Sequence, residues 1–288
     1  MPQRAGGLAY VEAVHVCKSS SQRLCTGVVV RKRPEMEPGY ASVDGVLVYY
    51  ELHGHASSTG QTPLVLLHGG GDTIGTSFHS IVPELAKNRQ VVAFEREGYG
   101  RTEDVRNLPF SFEQSADDTI ALLERLGMAQ ADFFGFSAGG TIALQIAIRH
   151  PKATRKLVVA SGLFSRAGAD SAFWGSFDST TLEAMPKALR DTYLKVAPKP
   201  QNLQLMFDKS VQQMRNFRDI PAETIRGIEA PTLVVCGDSD IVRPESAVEL
   251  FRLLPRAQLA ILPGTDHANV TSRVSWLAPM IDAFLDAR

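Results

Sequence analysis

Ser137 stands in the run Gly135-Phe136-Ser137-Ala138-Gly139, a G-x-S-x-G pattern between a strand-like segment and a helix-like one. A serine hydroxyl is a poor nucleophile unaided. A sharp strand-to-helix turn lifts its oxygen clear of a sheet, and a nearby base can then take its proton. The flanking glycines have no β-carbon, so such a turn closes without a clash. Alone, the pattern is weak, because glycine-serine loops match it by chance. Its weight depends on whether the chain also supplies a base, an acid and a place for a developing oxyanion.

All three are present. Asp238 and Asp240, in Gly237-Asp238-Ser239-Asp240, directly follow the apolar run 232–236. His267, in Gly264-Thr265-Asp266-His267, follows the last apolar run. Carboxylates and imidazoles at the carboxyl edge of a sheet stand where open α/β sheets place their sites. The chain order Ser, Asp, His is the order used on a strand-turn-helix scaffold. In such a set His267 takes the proton of Ser137 and returns it to the leaving group. The carboxylate, Asp240, accepts the other imidazole N–H, fixing the tautomer and stabilising the cation. The loop His68-Gly69-Gly70-Gly71 lets backbone approach a developing oxyanion closely. Its donors would be the N–H of Gly70 and that of Ala138, at the positive end of its helix.

Other polar residues read as structural. His68 orders its loop, and Asp266 bonds its own backbone. His53-Gly54-His55 is a strand-end turn rather than a metal pair, because no third ligand converges on it. Cys17, Cys25 and Cys236 are too few and too scattered for a disulfide framework, and Cys236 ends a buried-looking strand. No metal and no cofactor is implied, since His267 itself activates the attacking water.

The elements that must position these groups alternate. Asp44-Gly45 between β-prone flanks signals a hairpin. Short apolar runs at 63–68, 90–94, 131–134, 156–160, 232–236 and 257–262 read as strands covered on both faces. Between them lie helical stretches at 81–87, 111–126, 138–150, 244–254 and 274–286. Ser111-x-x-Gln114 and Gly127 serve as cap signals for the second. The rhythm predicts an α/β fold, a mostly parallel eight-stranded sheet with helices on both faces. Between strands six and seven the rhythm stops. Residues 163–227 read as a helical cap, with helices over 181–196 and 202–217 and many aromatic and methionine side chains. Phe164, Trp174 and Phe207 in the cap, and Phe136 beside the nucleophile, are the candidate substrate contacts. The core is then 39–162 together with 228–288. Residues 1–38, with six basic residues against three acids, read as a poorly packed extension.

With these motifs in order, the chain resembles α/β-hydrolase-fold enzymes of the capped, single-domain, esterase-like kind. The resemblance rests on His68-Gly69-Gly70, Gly98-Tyr99-Gly100, Gly135 to Gly140, Gly237 to Asp240 and Gly264 to His267, and spans residues 40–288. It implies Asp240, not Asp238, as the acid, and a cap after the sixth strand. Two positions depart from the usual pattern: Glu95 and Thr102 stand where that family usually carries an aspartate and a serine. A serine nucleophile also disfavours the dehalogenases and epoxide hydrolases of this fold, which use a carboxylate.

Composition removes other classes. A net charge of −1 over 288 residues leaves no footprint for nucleic acid or an anionic membrane. No run reaches the roughly 20 apolar residues that cross a bilayer. With no clear signal peptide, the expected location is cytoplasmic. The partner expected is a small-molecule substrate, and nothing in the sequence fixes an oligomeric state. The expected activity is a serine hydrolase acting on a small, largely apolar carboxylic ester or related acyl compound. C–C bond hydrolase, lactonase, amidase and perhydrolase activities are alternatives on the same scaffold. A low-turnover ligand receptor or signalling hydrolase is the reading from another class.

Overall fold

The computed structural model describes residues 36–54 and 62–287. Eight strands form one sheet in the order β1-β2-β4-β3-β5-β6-β7-β8. β1 (Glu37–Val43) and β2 (Val46–His53) form the antiparallel hairpin signalled by Asp44-Gly45. Both turn residues have positive φ, 46° and 84°, the twist that a two-residue hairpin needs. β1 takes in Glu37 and Pro38, which the sequence assigns to the N-terminal extension. Residues 1–35, with Cys17 and Cys25, lie outside the described residues, as does His55.

β2 pairs antiparallel with β4 (Val91–Phe94), and every later pairing is parallel. β3 (Leu64–Leu67) lies between β4 and β5 (Ala131–Phe136). The chain therefore leaves β3 for one neighbour and later returns to its other side. At such a reversal the loops after the strands part and leave a crevice at the carboxyl edge. In β3, Leu64 and Leu66 pack into the core of one face, Val65 and Leu67 into that of the other. All four are buried, so the run reads as continuous apolar sequence rather than alternation.

The helices cover both faces. α1 (Ile74–Phe78) and α2 (Val82–Leu85) follow β3, and α3 (Phe112–Arg125) precedes β5. Ser111 caps α3 by accepting from the Gln114 N–H at 2.9 Å. The Gln114 side chain turns to Asp118 instead of closing the box. α4 (Ala138–Arg149) follows β5, and β6 (Thr154–Ala160) completes this half.

Between β6 and β7 (Thr232–Ser239) run α5 (Ser171–Ser179), α6 (Lys187–Val196), α7 (Leu203–Arg215) and α8 (Ala222–Arg226). The helix expected over 181–196 is broken: a 3₁₀ turn at Leu182–Ala184 precedes α6, with Pro186 as its N-cap. Proline has no N–H to continue the helix behind it and holds Met185 extended. α9 (Pro244–Leu253), β8 (Ala257–Asp266) and α10 (Val274–Asp286) close the fold.

Candidate active site

The turn after β5 is tight. Ser137 has φ 56° and ψ −121°, a conformation disfavoured for a residue with a β-carbon. A β-carbon at Gly135 would overlap the Gly139 carbonyl, and one at Gly139 would overlap the Leu67 carbonyl. Only glycines let the strand, the turn and α4 approach so closely. The Ser137 N–H donates to the Ala160 carbonyl at 2.9 Å, tying the turn to the end of β6.

Parallel register delivers the other groups. Ser239 in β7 lies opposite Asp266 in β8, so the residues after them, Asp240 and His267, meet. His267 Nδ1 lies 2.6 Å from Asp240 Oδ1, and its Nε2 lies 3.0 Å from Ser137 Oγ. The Asp240 side chain is fully enclosed. Its Oδ2 accepts from Ser161 Oγ at 2.5 Å and from the Gly237 N–H at 3.3 Å; its Oδ1 also accepts from the Val242 N–H. Burial alone would raise the Asp240 carboxyl. The bond and charge of His267, with Ser161 and Val242, outweigh it and hold the group below the ordinary aspartate value. Asp238 is exposed and instead accepts from the N–H groups of Gly264 and Thr265, bracing the loop that carries His267.

The glycine loop after β3 is pinned from below. His68 is buried; its Nδ1 donates to the Gly69 carbonyl at 2.9 Å and its Nε2 accepts from the Arg96 N–H at 3.2 Å. Burial, then the nearby Arg96 charge, pushes its pKa far below the usual histidine value, which fits a neutral ring. Arg96 donates to the Gly69 carbonyl at 2.9 Å and stacks on Tyr99 at 4.4 Å. The N–H groups of Gly70 and Ala138 have no acceptor among the described residues, and both residues line the same cavity as Ser137 and His267. A β-carbon at Gly70 would sit 3.8 Å from that of Ala138.

The cavity has a volume of about 280 Å³ and is mostly apolar. α5 contributes Phe173 and Phe177, and α7 contributes Met206, Phe207, Ser210, Gln213 and Met214. Positions 206, 210, 213 and 214 are one face of a helix by spacing. Of the four candidate contacts, Phe207 lines this cavity. Phe136, Phe164 and Trp174 do not. Phe136 packs against the His267 ring with centroids 5.0 Å apart. Trp174 is held between Phe217 and Arg166, and its indole N–H donates to the Arg166 carbonyl at 2.6 Å. Phe164 is buried in the core beneath. An aromatic type marks a residue as buried without saying which buried surface it joins.

Sequence reasoning passed over Ser161, Arg96 and Gln213. Ser161 directly follows β6 with φ 53°, and Arg96 stands two residues past the end of the apolar strand β4; a polar residue near a strand's carboxyl end is the signal in both. Glu95 and Thr102, the departing positions, bind each other's loop. Glu95 accepts from the Arg101 N–H and guanidinium, and Thr102 Oγ1 donates to the Glu95 carbonyl at 2.6 Å. His53 bonds Glu51 at 2.9 Å. Cys236 is buried, which pushes its thiol up to about 12.

An eight-stranded sheet reversing at β3, with a strained serine above its carboxyl edge, defines a hydrolase of the α/β class. The sequence profile of the family described as alpha/beta hydrolase fold matches residues 62–217, and the chain belongs to that family. It is 28% identical over 255 residues to a 2-hydroxymuconate semialdehyde hydrolase of Pseudomonas sp. (strain CF600), covering 80% of this chain and 89% of the relative. It is 36% identical over 123 residues to a putative carbamate hydrolase of Caulobacter vibrioides, covering 42% of this chain and 44% of that protein. Among solved structures, 2-hydroxy-6-oxo-6-phenylhexa-2,4-dienoate hydrolase from Rhodococcus sp. strain RHA1 superposes with a TM-score of 0.73, at 20% identity, over 88% of this chain and all (100%) of that one. No helix among the described residues is long and apolar enough to cross a membrane.

Proposed function

We propose that the protein is a serine hydrolase that cleaves a small, largely apolar and uncharged carboxylic ester or related acyl compound. The observation that carries this reading is the hydrogen-bonded series Ser137 Oγ, His267, Asp240 at the floor of an apolar cavity. His267 Nε2 takes the hydroxyl proton as Ser137 Oγ attacks the carbonyl carbon. The imidazolium that forms is stabilised by Asp240. The tetrahedral oxyanion accepts from the N–H groups of Gly70 and Ala138. Collapse expels the alcohol, which takes its proton from His267, and leaves an acyl-serine. Water, deprotonated by the same imidazole, then releases the acid.

Two relatives favour a second reading, hydrolysis of a C–C bond beside a carbonyl, because they are named for a muconate semialdehyde and an oxo-heptadienoate. A muconate carries a carboxylate. Among the described residues the cavity wall holds no lysine or arginine, so that charge would enter an apolar site unpaired. The wall therefore supports a neutral substrate. A panel of neutral esters, lactones, carbamates and vinylogous diketones, with their carboxylate counterparts, tests this. The reading predicts turnover of neutral esters at least tenfold above every carboxylate. Preference for a dienoate acid would overturn it.

A further inference from the structure

Gln213 lies on the cavity face of α7, is only 4% exposed, and its Nε2 has no hydrogen-bond partner among the described residues. Around the same wall, three hydroxyls already donate. Thr141 Oγ1 donates to the Leu163 carbonyl at 2.7 Å, Ser210 Oγ to the Met206 carbonyl at 2.7 Å, and Ser161 Oγ to Asp240. The neighbours of Gln213 on its helix face are Met206, Ser210, whose hydroxyl is already committed to the Met206 carbonyl, Met214 and the nearby Phe217. A buried amide N–H without a partner is unfavourable, and buried polar groups in proteins are almost always bonded. An orphan beside a ligand cavity is resolved when a ligand brings an acceptor.

We infer that Gln213 is a specificity-determining residue, and that the substrate carries a second, uncharged oxygen acceptor besides its scissile acyl group. This rests on the serine-hydrolase reading above. The amide is neutral, so it suits a ketone, ether or ester oxygen better than a carboxylate, which would keep its charge in apolar surroundings. A site that hydrogen-bonds a substrate oxygen rejects the analogue lacking it, because the amide is then left unpaired.

The test uses hexyl and hexanoyl esters in pairs, one member with a single keto oxygen along the acyl or alcohol chain and one without. Proton release gives kcat/KM for each. Wild-type enzyme is expected to prefer at least one keto member by about tenfold or more, in line with the loss of one buried hydrogen bond. In Gln213→Met the keto-to-plain ratio is expected to fall to near one. A flat wild-type panel would overturn the inference without any variant, and so would a preference that persists in folded Gln213→Met. Failure to hydrolyse any ester, with no fluorophosphonate labelling of Ser137, would instead contradict the underlying serine-hydrolase reading.

Discussion

Ser161 Oγ donates to Asp240 Oδ2 at 2.5 Å, from a backbone position with φ 53° at the end of β6. The bond leaves Oδ1 free to face His267 and ties the acid loop after β7 to the neighbouring strand. Ser161→Ala removes the donor and leaves Oδ2 with the long Gly237 bond only. A charge-assisted bond of this kind contributes about 1.5 kcal/mol or more, so kcat/KM should fall about tenfold with KM little changed. Asp240→Asn is the harsher change. It reverses the tautomer preference of His267, and a loss of about 10⁴-fold in kcat is expected, the size of the effect when the acid of a Ser-His-Asp triad becomes an amide. Steady-state kinetics on one ester checks both.

The two glycines around Ser137 make a contrast with an exposed one. A β-carbon at Gly139 overlaps the Leu67 carbonyl, whereas one at Gly175, on α5, meets nothing within 4 Å. Gly139→Ala should destabilise the protein by about 1–3 kcal/mol or prevent folding. Gly175→Ala should leave it unchanged or stabilise it by up to about 1 kcal/mol, the helix propensity difference. Urea unfolding midpoints of the two variants decide this.

His68 makes a prediction about pH. Its folded pKa lies well below the ordinary histidine value of about 6.5, because burial and then Arg96 disfavour its cation. Above pH 6.5 the ring is neutral in both states and contributes no slope. As pH falls below 6.5 the unfolded chain gains a proton that the native one refuses, so native stability declines. The decline approaches about 1.4 kcal/mol per pH unit for this site. His68→Gln should remove that component. Urea titrations between pH 5 and 7.5 should show a slope shallower by about one proton in the variant.

Phe207 and Phe164 separate cavity wall from core. Phe207 lines the cavity, whereas Phe164 is buried away from it. Phe207→Ala should raise KM for longer acyl chains, by up to about 1–3 kcal/mol of lost apolar contact, and spare acetyl esters. Phe164→Ala should instead cost about 3–5 kcal/mol of stability, as a large-to-small core change. An ester chain-length series and a melting curve distinguish the two.

These contrasts also mark how far the sequence is legible. The strands are legible because a doubly covered strand is a short, unbroken apolar run, as in Leu64–Leu67 and Val91–Phe94. The meeting of Ser137, Asp240 and His267 is legible because each follows its own strand, and parallel strands bring their carboxyl ends to one edge. The cavity wall is not. Met206, Gln213, Trp174 and Phe164 share a composition in which every position is buried against something. Which of them face the cavity depends on where α5 and α7 lie, and α5 to α7 carry no strand register to fix that. Pro186 shows the same limit locally: apolar spacing reads as helix through 181–196, and only the ring decides where it breaks.

In the proposed reaction everything depends on Ser137, activated by His267, attacking the acyl carbon. Active-site labelling with a fluorophosphonate, read by intact mass and peptide mapping, tests it most directly. A single adduct on Ser137 is expected in the wild type, with loss of both adduct and ester hydrolysis in Ser137→Ala. Ester hydrolysis at the wild-type rate by Ser137→Ala, or an adduct on another residue with Ser137 unmodified, would contradict it.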